Sequence, residues 1–456
     1  MNDLSPTTGK AIDPLTIVLR PVASLQPAKR NARTHSDTQI EQIAASITQF
    51  GFLNPVLVDA AGRVVAGHGR LEAARRIGIA QVPTLCIAHL DEAELRAFAL
   101  ADNRVAENAG WDSELLRIEL GELLELDLDF EIELTGFNTG EIEVILDGAK
   151  PVPDKADDEV SVPDPAASCA VEAGDLWLLG DHRLFCGSSL EHASFARLMG
   201  PDQARMVFSD PPYNVRIDGH VGGLGNIRHE EFRMAAGEMS RRQFTEFLAT
   251  VFGHEARFSI DGAIHYQCMD WRHMTEMMEA GESVYSELKN LCVWSKDNGG
   301  MGSFYRSRHE LVFVWKVGEA PHLNTVELGR NGRYRTNVWE YRGATKTGAN
   351  AELAMHPTVK PVPLVIDAIK DASRRGDIVL DAFGGSGSTL IAAEKTKRRA
   401  RLIELEPGYC GVTVARWQNL TGREAILEAT GESWSEVIAR RANTSAGDPL
   451  EEAWHG

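Results

Sequence analysis

The chain has 456 residues, a formal net charge of −19 and six cysteines, with 25% charged and 43% hydrophobic residues. That length exceeds one ordinary core and calls for two or three domains, and the composition is that of a soluble globular protein. It excludes a membrane span, a signal-peptide core and a disulfide scaffold, because no apolar run is long enough and the scattered cysteines, with no C-x-x-C pair, read as reduced cytoplasmic thiols.

Residues 1–15 read as a flexible leader and residues 16–90 as a small α/β unit. Ser36 can cap a helix in which Ile40, Ile43, Ala44, Ile47 and Phe50 follow helical spacing. Val56–Val58 and Arg63–Val65 form a hairpin about Ala61-Gly62. Gly67-His68-Gly69-Arg70 then leads into a helix Leu71–Ile77, and Val82–Ile87 is another strand. Helices are expected over Asp91–Glu107, Asp112–Leu126 and Thr139–Leu146, carrying the first domain to residue 149. In 150–170, Pro151, Pro153, Pro163 and Pro165 are interspersed with acids and alanines, a linker composition.

The second domain begins near residue 171 with a hairpin of Asp175–Leu179 and Arg183–Cys186 about Gly180-Asp181. Met206-Val207-Phe208 reads as a short buried strand, and Asp210-Pro211-Pro212-Tyr213 ends it, because two prolines remove backbone donors and fix φ. Asp210 and Tyr213 thus stand at a strand's carboxyl end, where open α/β sheets place their sites. A carboxylate and a nearby backbone carbonyl can accept both hydrogens of a planar exocyclic amine while an aromatic ring stacks on the base. A plain strand-to-loop turn is the alternative.

Residues 214–240 are glycine-rich and aperiodic, a long loop. A helix over 240–257 and strands over Ala263–Met269, Leu288–Ser295 and Glu310–Lys316 continue the α/β pattern. Residues 317–354 have little periodicity and hold Arg330, Arg333, Arg335, Arg342 and Lys346 among Tyr334, Trp339 and Tyr341. That mixture suits phosphate contact and base stacking, with a solvated loop as the alternative.

Ile378-Val379-Leu380 then enters Asp381-Ala382-Phe383-Gly384-Gly385-Ser386-Gly387-Ser388-Thr389, which opens into the helical run Leu390–Glu394. A strand, a glycine-rich turn and a helix form a nucleotide-cofactor cradle. Glu404, at the end of the next strand, stands where an acid can bind ribose hydroxyls. The cofactor is a dinucleotide or S-adenosylmethionine. The glycine pattern departs from G-x-G-x-x-G, and Asp381 disfavours a pyrophosphate but suits a sulfonium amino acid. Residues 426–456 form a C-terminal helix and tail.

Together these motifs resemble the beta-group amino-methylating DNA methyltransferases, in which a catalytic D-P-P-Y precedes the cofactor loop F-x-G-x-G. His356-Pro357-Thr358-Val359-Lys360-Pro361 is similar to that family's H-P-T-x-K-P segment, and Glu404-Leu405-Glu406-Pro407-Gly408-Tyr409 to its acid-rich strand end. Gly302-Ser303-Phe304-Tyr305-Arg306-Ser307 with His309-Glu310 resembles a segment common in phage and prophage members. The resemblance spans roughly residues 170–425. It implies an α/β fold with a doubly wound, Rossmann-like sheet, circularly permuted because the catalytic strand comes first. It implies S-adenosylmethionine held by Asp381, Phe383, Gly384, Gly385, Gly387, Ser388, Thr389 and Glu404, with Thr358 and Lys360, and catalysis by Asp210, Pro211, Pro212 and Tyr213. One departure stands out: the family's G-D pair before the catalytic strand is Gly187-Ser188 here, a hydroxyl in place of a carboxylate. Residues 16–90 resemble the ParB-like fold, whose G-x-R-R-type turn contacts nucleotide phosphates. His68 and Arg70 stand in that turn, with a plain glycine turn as the alternative, and no acid pair for a nuclease metal adjoins it.

The expected activity is site-specific methylation of the N6 amine of adenine in double-stranded DNA, with S-adenosylmethionine and no metal. Family members with S-P-P-Y tend to cytosine, so Asp210 tilts the choice towards adenine. N4-cytosine methylation on the same fold, and a ParB-like DNA- or nucleotide-binding protein with an inactive methyltransferase half, are the competing readings. No Pro-Cys dipeptide occurs, which argues against the cysteine-nucleophile route to carbon-5 of cytosine. The charge fits DNA because it is uneven: residues 91–160 hold 21 acids and 5 bases, whereas residues 291–350 hold 9 bases and 5 acids. Neither the recognition sequence nor the oligomeric state is legible, a homodimer being one open arrangement.

Overall fold

The computed structural model describes residues 16–28, 31–126, 128–147, 170–214, 237–296, 304–326, 335–341 and 360–445. The expected leader, nearly all of the linker, most of the loop after Asn214, and Thr358, Arg330, Arg333, Arg342 and Lys346 lie outside the described residues. The chain divides into two compact units, Met1–Ala149 and Lys150–Gly456. No helix among the described residues is long and apolar enough to cross a membrane.

The first unit runs β1 (Ile17–Pro21), α1 (Asp37–Phe50), β2 (Val56–Val58), β3 (Val64–Ala66), α2 (His68–Arg76), β4 (Gln81–Cys86), α3 (Glu92–Glu107), α4 (Ser113–Glu125) and α5 (Thr139–Asp147). Its sheet order is β1-β4-β2-β3, with β2 parallel to β4. The Ser36 side chain caps α1 by accepting from the Gln39 N–H at 3.1 Å, and Ile40, Ala44 and Ile47 are buried at helical spacing. Val56, Val58, Val64, Leu71, Ala74 and Val82 fill the core between sheet and helices. α3 opens with a reciprocal cap: the Glu94 N–H donates to Asp91 at 2.8 Å and the Asp91 N–H donates to Glu94 at 3.0 Å.

The second unit runs β5 (Leu176–Leu179), β6 (His182–Cys186), α6 (His192–Met199), β7 (Ala204–Ser209), α7 (Arg241–Arg257), β8 (Ser259–Met269), α8 (Met274–Val284), β9 (Glu287–Ser295) and β10 (His309–Lys316). It continues with β11 (Val338–Glu340), α9 (Val362–Ala372), β12 (Ile378–Asp381), α10 (Ser388–Lys395), β13 (Arg399–Glu404), α11 (Pro407–Thr421), β14 (Ile426–Leu427) and α12 (Trp434–Ser445). Among the described residues the sheet order is β11-β9-β10-β8-β7-β12-β13-β6-β5-β14. The central strands β8, β7, β12, β13 and β6 are mutually parallel, with antiparallel β10 and β5 on their flanks.

Both faces of the centre are covered, which is why Met206-Val207-Phe208 of β7 and Ile378-Val379-Leu380 of β12 read as unbroken apolar runs. Met206 and Phe208 of β7 pack with Leu364 and Val365 of α9 and Leu390 of α10 in one cluster. Ala204 and Val207, pointing the other way, pack with Phe195 of α6 and Val251 of α7. The sheet is therefore doubly wound, and β7 precedes its neighbour β12 in the chain. Adjacent parallel strands lie about 4.8 Å apart, so the D-P-P-Y turn and the glycine turn leave the sheet side by side.

β11 lies within residues 317–354, where the sequence shows little periodicity and no strand was expected. It is only three residues long, too short to show a period, yet it pairs in parallel with β9, Val338 opposite Val293, and buries Trp339.

Candidate active site

Asp210 is the first residue beyond β7, and two side chains, Tyr213 and Lys360, bond it directly. The Tyr213 hydroxyl donates to Asp210 Oδ1 at 2.7 Å. Lys360 Nζ donates to Asp210 Oδ2 at 2.7 Å and to the Tyr213 oxygen at 3.0 Å, and pairs with Glu310 Oε2 at 2.8 Å. Glu310 Oε2 lies 3.1 Å from the Tyr213 hydroxyl, and Lys296 Nζ pairs with Glu310 Oε1. The Trp294 ring flanks both ammonium groups, 4.4 Å from Lys296 Nζ and 5.7 Å from Lys360 Nζ. Two carboxylates and two ammoniums thus alternate and balance. Lys360 and Glu310 are buried, whereas the Asp210 side chain keeps 18% of its surface open.

Burial raises Asp210 above the usual carboxylate range, with Lys360 opposing that rise. Burial pushes Glu310 up as well, but Lys360 and Lys296 outweigh it and hold Glu310 at about 2. Burial would lower Lys360, and its two carboxylate partners reverse that, so it stays charged. Burial, Asp210 and Glu310 all raise Tyr213, which remains a phenol and a donor.

The glycine turn lies beside this cluster. Gly387, the residue before α10, has φ 84°, and a Cβ there would fall 2.8 Å from Thr413 Cγ2, so both conformation and space demand glycine. Asp381 Oδ1 accepts from the Phe383 N–H at 2.9 Å and Oδ2 from the Thr389 hydroxyl at 2.6 Å. Glu404 Oε2 accepts from the Gly385 N–H at 2.7 Å and Oε1 from the Glu406 N–H at 2.8 Å. The Gly384 N–H donates to the Ile403 carbonyl at 2.8 Å and ties the turn to β13. Phe383 is half-buried against Phe247, with ring centroids 6.0 Å apart. Burial pushes Asp381 and Glu404 each up to about 7. Neither pairs with a cation among the described residues, and the buried Ser388 hydroxyl at the start of α10 has no hydrogen-bond partner there. Two buried carboxyls without a counterion among the described residues, beside one unpaired hydroxyl at a helix start, fit a cationic ligand carrying hydroxyls.

A family model described as a DNA methylase matches residues 204–415, which contain every strand and turn just described. Models for the ParB N-terminal domain and for a ParB-methyltransferase HTH domain match residues 9–104 and 114–172. The chain is 46% identical over 78 residues to the ParB-like nuclease domain-containing protein YnaK of Escherichia coli, covering 17% of this chain and 90% of that protein. The chain belongs to the DNA methylases that carry a ParB N-terminal domain. The methylase is also 23% identical to the type II methyltransferase M2.DpnII of Streptococcus pneumoniae, over 49% of this chain and 85% of that protein. Among solved structures, the PvuII DNA methyltransferase (cytosine-N4-specific) superposes with TM-score 0.40 at 15% identity, over 57% of this chain and 92% of that one.

The HTH match gives α4 and α5 an identity that sequence analysis had not, and it runs across the segment expected to be a linker. Two assignments also change place. Lys360, grouped with the cofactor residues on its motif, sits on Asp210, Tyr213 and Glu310. Arg335, grouped with the DNA-binding residues, is turned inward: it ion-pairs with Asp367 and Asp371, each at 2.8 Å, and its side chain is 16% exposed. Its charge is neutralised within the domain rather than offered at the surface.

His68 and Arg70 open α2 behind Gly67, whose φ is 95°. His68 Nε2 accepts from the Ala28 N–H at 3.3 Å, and burial followed by the charge of His35 lowers His68. Arg70 is half-buried and its Nε has no partner among the described residues. Ser188 uses its hydroxyl locally, accepting from the Leu190 N–H at 3.2 Å.

Sequence analysis did not single out Glu310, Lys296 or Glu255 as site residues. An acid at the head of the apolar run Leu311–Trp315 was the available signal for Glu310. Glu255 of α7 is fully buried behind the catalytic strand. Its Oε1 bonds the Ser209 hydroxyl at 2.8 Å, and its Oε2 accepts from Gln267 Nε2 at 2.5 Å. Burial pushes this carboxyl up to about 8. The methylase therefore braces the residue next to Asp210 with a neutral, hydrogen-bonded acid.

Proposed function

We propose that this protein transfers a methyl group from S-adenosylmethionine to the exocyclic N6 amine of adenine at specific sites in double-stranded DNA. The observation that carries this reading is an amine-accepting carboxylate just beyond β7 beside a pair of carboxyls on β12 and β13 that have no counterion among the described residues. When bound, S-adenosylmethionine supplies an electrophilic methyl group on a sulfonium. Asp381, Glu404 and Ser388 would hold it, and Phe383 would line its base.

The adenine amine is a poor nucleophile because its lone pair is conjugated with the ring. Asp210 and the Pro211 carbonyl accept its two hydrogens and draw the nitrogen towards a tetrahedral form with a localised lone pair. In the structure the Asp210 oxygens are bonded by Tyr213 and Lys360, so an entering amine takes over one of those bonds. Lys360 keeps Asp210 an acceptor, and Glu310 with Lys296 holds Lys360 in place. Tyr213 stacks on a base that has left the duplex, since an amine inside the stack cannot reach the methyl group. The rate then comes from positioning and fixed charge rather than from a covalent intermediate.

The first unit adds DNA or nucleotide contacts through its ParB domain, with His68 and Arg70 at the N-terminus of α2 as the phosphate-facing pair. Methylation-sensitive sequencing of DNA from cells expressing the protein tests the assignment. N6-methyladenine in a fixed sequence context is the expected result; N4-methylcytosine would reassign the base, and unmodified DNA would support the inactive-methyltransferase reading.

A further inference from the structure

The described part of the G-S-F-Y-R-S segment, Phe304–Ser307, has no role in the chemistry above, yet it runs into Glu310 of the catalytic cluster. The β9–β10 ladder extends one pair beyond its strands: the Lys296 N–H donates to the Arg308 carbonyl at 2.8 Å, and Arg308 Nε donates to the Lys296 carbonyl at 2.8 Å. Lys296, a member of that pair, and Glu310, two residues beyond Arg308, belong to the cluster around Asp210. Tyr305 is five residues from Glu310, a span of at most about 17 Å. Phe304 and Tyr305 are 86% and 82% exposed, the two most exposed large apolar side chains among the described residues. Their rings meet edge to face at 4.6 Å. Arg306 and Arg308 follow directly, so the aromatic pair is flanked by positive charge.

A base drawn out to Asp210 leaves a gap in its duplex, and the unstacking opposes methylation. Aromatic side chains stack on bases, so a ring entering that gap offsets the lost stacking. A pair of exposed rings five residues along the chain from Glu310, next to basic residues, meets that need. We propose that Phe304 and Tyr305 form the wedge that enters the duplex beside the target base and occupies its place in the stack. This rests on the reading that the protein methylates an extruded base.

The test uses the full-length protein and oligonucleotide duplexes carrying the site mapped with wild type. One duplex is fully paired; in the other the target base faces an abasic site, so that it leaves the stack easily. Phe304→Ala/Tyr305→Ala should slow single-turnover methylation of the paired duplex by about 30-fold or more. On the abasic-opposite duplex the variant should come within about threefold of wild type. Phe304→Tyr/Tyr305→Phe, which keeps both rings, should retain the paired-duplex rate. Unchanged S-adenosylmethionine affinity by calorimetry checks that the fold is intact. Equal losses on both duplexes, or no loss on either, would overturn the wedge, as would a change of oligomeric mass showing that the rings cover a second copy. Wild type inactive on both duplexes would instead strike the methyltransferase reading, and the wedge with it.

Discussion

Glu255 should make the stability of the second unit fall with rising pH, and Glu255→Gln should remove that fall. The carboxyl is fully buried and is pushed up to about 8 from an ordinary value of 4.5. Between those values the folded protein keeps a proton that the unfolded chain releases. The stabilisation is complete below about 4.5 and is lost as pH rises through about 8. Each pH unit inside that window removes about 1.4 kcal/mol, so the whole window is worth at most about 5 kcal/mol. Glutamine is neutral at every pH, and its amide can donate to Ser209 while its carbonyl accepts from Gln267. Asp381 and Glu404 titrate in both proteins and cancel in the comparison. Urea unfolding from pH 5.5 to 8 should show the variant gaining on wild type by about 3 kcal/mol in total. Parallel stability curves across that range would refute the assignment of a neutral buried acid behind Asp210.

Lys360→Met leaves Asp210 and Glu310 buried without their shared cation, and should destabilise the fold by about 3–5 kcal/mol. It should also cut methyl transfer while leaving S-adenosylmethionine affinity within about threefold; a tenfold loss of affinity at unchanged turnover would return Lys360 to the cofactor group. Glu404→Ala should weaken S-adenosylmethionine binding by about 1.5–3 kcal/mol, and unchanged calorimetric affinity would rule out its ribose role. Arg335→Ala should lower stability without altering the salt dependence of DNA binding, because its charge is already paired; a slope reduced by about 1 would make it a phosphate contact. A protein starting near Ala170 should remain soluble and bind S-adenosylmethionine, with a shallower salt slope on DNA if the first unit touches phosphates. An insoluble product would show that the halves share a core.

The two turns that define the site were legible because proline and glycine act locally. Pro211 and Pro212 stop β7 whatever surrounds them, and Gly387 meets a backbone demand that only glycine satisfies cheaply. β7 and β12 were legible because parallel strands buried on both faces carry continuous apolar runs. What could not be read were pairings made through space. Asp210 and Lys360 are separated by 150 residues in sequence, and they meet because α9 returns the chain to the end of β7. Arg335 looked like a surface cation among aromatics until α9 supplied Asp367 and Asp371. Glu255 sits in an ordinary amphipathic helix, and the buried Ser209, Gln267 and Tyr285 explain its place inward.

Tritiated methyl transfer by wild type and Asp210→Ala, followed by nucleoside analysis of the DNA, decides whether this site methylates adenine through Asp210. Wild type should place the label in N6-methyladenine. The variant should place almost none, while binding S-adenosylmethionine with unchanged affinity. Label in N4-methylcytosine would contradict the choice of base, and near-normal turnover by the variant would contradict the role of Asp210.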